Sequence, residues 1–152
     1  MKNEEKIASL EKKIKVLQRF YAAALADSAF RYGNAGIIAE IEKQKYSEQV
    51  KSGKAMAVQF GVKEPKEAFK NVQDLFNCAN WVCEDIENGF MARNEACMLC
   101  IISKKMGPHS PCKIHCLNPL ETIIKSVSPY AEFIVEKTLW DDNKCEVKVL
   151  LK

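Results

Sequence analysis

Along the first third of the chain the apolar positions Ile7, Leu10, Ile14, Leu17, Tyr21 and Ala24 recur at steps of three and four, which places them on one face of an α-helix. The pattern is a/d-like but lasts fewer than three heptads. It therefore predicts a core-facing or dimerising amphipathic helix, and a homodimer through this N-terminal helix is one expectation. Gly33, Asn34 and Gly36 interrupt the pattern with residues that tolerate positive φ. A second helix is predicted from about Ala35 towards Phe60, with Tyr46, Val50, Ala57 and Phe60 on its inner side and Gly53 weakening its middle. Gly61 stops it. Pro65 suits a first helical position and opens a third helix through Ala68, Phe69, Val72, Leu75 and Phe76.

After Asn77 the period shortens to two. Asn88-Gly89 is the residue choice for a two-residue type I′ turn, and it is flanked by NWVCEDIE and FMARNEA. A loop of those two residues sets Glu84 opposite Arg93, Ile86 opposite Met91 and Cys83 opposite Asn94. Polar groups on both faces of this hairpin mark it as a sheet edge or as the wall of a cavity. The chain ends in a second hairpin, AEFIVEKTL and CEVKVLLK. There Phe133, Val135 and Leu139 form one apolar row and Cys145, Val147, Val149 and Leu151 the other. Pairing Leu139 with Cys145 sets Glu136 across from Lys148. Between the hairpins, Asn118-Pro119-Leu120-Glu121 reads as an N-cap, a proline at the first position and a glutamate at the third of a helix that Ser128-Pro129 closes.

Helices first and strand pairs afterwards predict an α+β fold, a helical N-terminal half packed on an antiparallel sheet built from two hairpins. The expectation is a single domain over 1-152, with 1-76 helical and 77-152 a cysteine-rich α+β part. A length of 152 residues with 47% hydrophobic and 28% charged positions agrees with one ordinary core. The net charge is +3, with lysines alternating with glutamates instead of forming a one-signed stripe, so nucleic acid is not an expected partner. No apolar run approaches the roughly 20 residues of a membrane span. The opening MKNEEKIASLEKK carries no signal-peptide core, and seven cysteines is an odd number, so a cytoplasmic, reducing location is expected.

Residues 97–116, CMLCIISKKMGPHSPCKIHC, hold four of the cysteines and both histidines. Cys97 and Cys100 are three apart, Cys112 and Cys116 four apart, and eleven residues join the pairs, a spacing that permits a tetrahedral thiolate site for zinc. Three readings stay open: a metal held by some subset of Cys97, Cys100, Cys112 and Cys116, buried reduced thiols, or a catalytic thiol. For the third, Cys116 stands two residues before the Asn118 cap, where a helix dipole would activate it, and His115 is its neighbour. No Ser-His-Asp, His-Glu-x-x-His or glycine-rich phosphate motif is present.

The C-terminal half, from CANW at Cys78 through PCKIHCLNP to EKTLWDDNKCEVKV, resembles the L-2-amino-thiazoline-4-carboxylic acid hydrolase-like family and, more distantly, the 4-vinyl-reductase ligand-binding domain. The resemblance covers roughly the last 75 residues well and rests on cysteine positions and a terminal hairpin. It implies helices against an antiparallel sheet with a small-molecule pocket between them, and hydrolysis of a cyclic amidine or similar C–N bond. By that analogy Cys112 or Cys116 matches the family's mid-domain cysteine, Glu136 its penultimate-strand glutamate and Cys145 its last cysteine. Where metal-binding 4-vinyl-reductase domains carry a further cysteine three residues after that glutamate, this chain has Leu139.

Two functions follow as expectations. One is a hydrolase in which a metal-bound water or Cys116 attacks carbon while Glu136 or Glu95 moves protons. The other is a noncatalytic sensor or carrier of a small molecule, with Trp81, Arg93, Phe90 and Met91 as ligand contacts and Phe133 and Trp140 as further walls.

Overall fold

The computed structural model describes all 152 residues and shows five α-helices and one four-stranded antiparallel sheet, an α+β fold with a helical N-terminal half. The helices are α1 (Lys2–Asn34), α2 (Ile38–Gln59), α3 (Pro65–Phe76), α4 (Met98–Met106) and α5 (Asn118–Val127). The strands are β1 (Val82–Ile86), β2 (Gly89–Asn94), β3 (Glu132–Lys137) and β4 (Cys145–Leu150), arranged β1-β2-β4-β3. The two predicted hairpins are thus joined through β2 and β4, with the second hairpin's last strand in the middle. No helix is long and apolar enough to cross a membrane.

One face of the sheet carries Phe90, Ala92, Val147 and Val149 into a core shared with α2, α3 and α5. Phe69 of α3 sits at its centre, with ring centroids 5.0 Å from Trp81, 5.9 Å from Phe90 and 6.3 Å from Phe133. Burying such a ring contributes about 2–3 kcal/mol, which ties α3 to the sheet. On the outer face Arg93 bridges Glu84 and Glu146, and Lys148 pairs with Glu136. Alternation along β4 puts Cys145, Val147 and Val149 inside and Glu146 and Lys148 outside, as its apolar row predicts.

Both hairpins differ from the predicted register by two residues. Ile86 pairs with Gly89, Glu84 with Met91 and Val82 with Arg93, so the turn residues are Glu87 and Asn88. Asn88 alone takes positive φ, at 63°. Gly89 is required for another reason: a Cβ there would lie 1.9 Å from the Val149 carbonyl oxygen of β4. In the second hairpin Phe133 pairs with Val149 and Val135 with Val147; a bulge at Glu136 shifts the last pair to Lys137 and Glu146, and the ladder stops before Leu139. A shift of two keeps every side chain on its expected face, so the Glu84–Arg93 and Glu136–Lys148 ion pairs survive as diagonal neighbours.

The predicted Asn118 cap is overturned. Asn118 has helical angles (φ −62°, ψ −46°) and caps nothing, because a π-helical turn over Lys113–Leu117 runs straight into α5. The wider turn ahead of Pro119 carries the chain into α5 through a residue that lacks a backbone N–H. In α1 the packed face is Ala22, Ala26 and Ala29, not the predicted stripe. Ile7, Leu10, Ile14 and Leu17 are exposed, and so is Ala24; only Tyr21 finds a partner, stacked on Phe76 at 4.9 Å. In α2 Ala57 is inside as predicted, while Val50 is exposed. Gly53, expected to weaken that helix, lets it approach α5 closely: a Cβ there would stand 2.9 Å from the Thr122 carbonyl oxygen.

Candidate functional site

Between α1, α2, α3 and the π-helical turn lies a cavity of about 210 Å³. Most of its wall is apolar, from Leu25, Met56, Phe60, Phe76, Ile114 and Leu120 among others. Besides the cysteines, its polar side chains are Gln18 and Tyr21 of α1, Lys45 and Gln49 of α2, Gln73 of α3 and His115 of the π-helical turn. Lys45 and Gln49, one turn apart on α2, share one wall with His115. The Gln49 Oε1 is buried without a hydrogen-bond partner, which costs about 1–3 kcal/mol unless something else donates to it. Lys45 takes part in none of the fold's ion pairs.

His115 is fixed by Ser28 of α1, whose Oγ lies 2.7 Å from Nε2. Ser28 Oγ also lies 2.8 Å from the Leu25 carbonyl oxygen, which anchors the Ser28–His115 pair to α1. Burial, helped by the nearby Lys45 charge, holds the His115 pKa down at about 4. The ring is therefore neutral near pH 7 and serves the cavity as a fixed polar group.

Six of the seven cysteines gather behind this cavity, and all seven are free. Cys78, Cys97 and Cys116 line the large cavity. Cys97, Cys100, Cys112, Cys116 and Cys145 surround a second one of about 20 Å³, room for one water-sized guest. Cys78 lies beside Cys97 and Cys100 beside Cys112, near enough for each thiol to influence its neighbour's titration. Cys97 precedes α4, and the Leu99 and Cys100 amides favour its thiolate without closing a side-chain cap. With the Cys78 thiol as the larger influence, its pKa falls to about 7. Burial pushes the Cys116 thiol well above the ordinary range, and Cys145 up to about 11.

These positions redistribute the expected roles. Cys116 is inside a helical turn, not ahead of one, and its burial disfavours the thiolate a nucleophile needs. Glu136 is held on the outer face of the sheet by Lys148 at 3.0 Å, across the sheet from the cysteines. Glu95 is exposed beside Arg93 and Glu84. Cys116, Glu136 and Glu95 therefore do not meet. Among the expected ligand contacts, Trp81 lines the cavity, Phe90 is solid core, and Met91 and Arg93 share the outer face of β2. The strand alternation that buries Phe90 turns its neighbours away. The zinc donors Cys97, Cys100, Cys112 and Cys116 come near one another. No group of three or more His, Cys, Asp or Glu side chains, however, is arranged to hold a metal ion.

Sequence reasoning missed Cys78, Lys45, Gln49 and Ser28. Lys45 and Gln49 carried a signal in their four-residue spacing on a predicted helix. Cys78 and Ser28 carried none, because their partners lie 19 and 87 positions away. Comparison of the chain with protein-family models, curated proteins and solved structures finds no match.

Proposed function

We propose that this chain is a small-molecule-binding domain of the sensor or carrier kind, whose ligand fills the cavity between α1, α2, α3 and the π-helical turn. The observation that carries this reading is the buried, unpartnered Gln49 Oε1 beside an unpaired Lys45 in a mostly apolar wall. An acceptor and a cation one helical turn apart suit a ligand with an N–H or O–H donor and a carboxylate. A cavity of about 150 Å³ holds benzene, so 210 Å³ suits a ring with one short charged substituent. A small cyclic amidino-carboxylate, the substrate type implied by the family resemblance, has this chemistry. Because Cys116, Glu136 and Glu95 stand apart, binding is the function the geometry supports best. Seven free thiols fit the reducing, cytoplasmic setting expected of the sequence.

Calorimetric titration with 2-aminothiazoline-4-carboxylate and with its methyl ester tests the reading. The acid should bind, while the ester, and the acid offered to Lys45→Met, should bind about tenfold or more weakly. Equal binding of acid and ester, or none, removes it.

A second copy of the chain is the partner we infer for the bare stripe on α1. Ile7 and Ile14 at a positions with Leu10 and Leu17 at d is the residue choice of a parallel two-stranded coiled coil, and Lys6 then faces Glu11 of the second copy. Pairing ends at Leu17, since Gln18 bonds the Leu75 carbonyl at 2.8 Å and Tyr21 stacks on Phe76.

A further inference from the structure

The large cavity contains a thiol pair that ligand binding alone does not call for. Cys78 lies just beyond α3, and Cys97 just before α4. Ala79 and Cys97 form an antiparallel bridge, and the Met98 N–H donates to the Cys78 carbonyl at 2.7 Å. These contacts set Cys97 opposite Ala79 and Met98 opposite Cys78, so the two cysteines are diagonal neighbours on adjoining segments. Both residues line the 210 Å³ cavity and neither is fully buried. The remaining thiols are placed otherwise. Cys100, Cys112 and Cys145 border the small inner cavity and not the large one, and Cys83 sits on β1 against the core.

We propose that Cys78 and Cys97 are a redox-active dithiol that exchanges with a small organic disulfide entering the cavity, with Cys97 attacking and Cys78 resolving. The Cys97 thiolate attacks one sulfur of R–S–S–R. A bond forms between Cys97 and that sulfur, the S–S bond of the disulfide breaks, and RS⁻ leaves and takes up a proton as RSH. Cys78 then loses its proton and attacks the Cys97 sulfur, which expels the second RS⁻ and leaves a Cys78–Cys97 disulfide. In sum the dithiol and R–S–S–R become the protein disulfide and two RSH. The small disulfide gains the two electrons that the dithiol gives up. The order of attack follows from the sites: Cys97 stands at the start of α4, where the helix favours an anion, whereas Cys78 lies just past the C-terminal end of α3, which disfavours one.

Peptide mass spectrometry on the reduced full chain, treated with bis(2-hydroxyethyl) disulfide and then alkylated, tests this. The wild type should yield the Cys78–Cys97 cross-link and two equivalents of 2-mercaptoethanol. Cys78→Ser should stop at a mixed disulfide on Cys97, and Cys97→Ser should take up probe at Cys78 slower by about tenfold. A wild type that cross-links Cys100 to Cys112 first, or that stays reduced, overturns the proposal, and this arm decides alone if a variant does not fold. The probe is neutral and the readout covalent, so a failure here is separate from a failure of carboxylate binding at Lys45.

Discussion

Gly53 of α2 lies directly against the backbone of Thr122 in α5, closely enough that a Cβ would sit 2.9 Å from its carbonyl oxygen and 3.2 Å from the Ser126 Cβ. The obstacle is helix backbone, which cannot swing aside as a side chain would. Gly53→Val should therefore destabilise the fold by about 2 kcal/mol, even though glycine is a poor helix former. Urea denaturation measures it, and an unchanged midpoint would mean that the two helices can separate at little cost.

Asn88 and Gly89 divide the work of their turn in an unexpected way. Asn88→Gly should be neutral or slightly stabilising, because Asn88 holds a φ of 63°. Gly89→Ala should cost roughly 3 kcal/mol, because its Cβ would enter the Val149 carbonyl. Thermal melts of the two variants should move in opposite directions, or one should stay still while the other falls.

The neutral, buried His115 makes stability depend on acid. The unfolded chain takes up a proton at the ordinary imidazole value near 6.5, whereas the folded one refuses it until about 4. Stability is thus fully present above the upper value and is lost as pH falls towards the lower one, by up to about 3 kcal/mol. Urea midpoints for the wild type at about pH 7 and about pH 4.5 should differ by more than those of His115→Gln. Parallel slopes would show that His115 is not the group responsible, despite its contact with Ser28 and the nearby Lys45 charge.

Cys97 should be the fastest thiol to alkylate at neutral pH, with a rate midpoint at about 7. Removing the Cys78 thiol should raise that midpoint towards the ordinary thiol range near 8.5, since the largest cause of the depression is gone. Site-resolved iodoacetamide labelling across pH reads this, and a midpoint in Cys78→Ala that stays where it was would assign the effect to the start of α4 alone.

The bare stripe on α1 gives a prediction about assembly. Sedimentation should find a dimer, and Ile14→Lys should convert it to a monomer without lowering the melting temperature of the globular part by more than about 2 °C. A wild type that sediments as a monomer at tens of micromolar removes the pairing. A hetero-partner that competes for the stripe would likewise count against a second copy.

Much of the fold was legible because local patterning encodes it. Pro65, Gly61 and the 3.6-residue spacing of Ala68, Phe69 and Val72 marked α3, and two-residue alternation marked the inner row of β4. Register was off by two in both hairpins, because a two-residue slip leaves every side chain on the same face and the pattern is blind to it. The bulge at Glu136 and the contact of Gly89 with β4 decided it instead. Asn118-Pro119 misled for a related reason: the same residues that open a helix can also follow a π-helical turn, and only the preceding turn tells which.

The site divides in the same way. Sequence by itself determined that cysteines crowd the C-terminal half, that helices precede strands, and that one face of α1 is apolar, since composition and periodicity are local properties. Tertiary structure alone decided that Cys78 meets Cys97, that Ser28 holds His115, that Gln49 is left without a donor, and that Glu136 faces away from the thiols. Each of these depends on how far apart in space two distant segments come to rest, and that distance is fixed by the packing of α2 on α5 and of α1 on α4, for which no single segment of the chain carries the pattern.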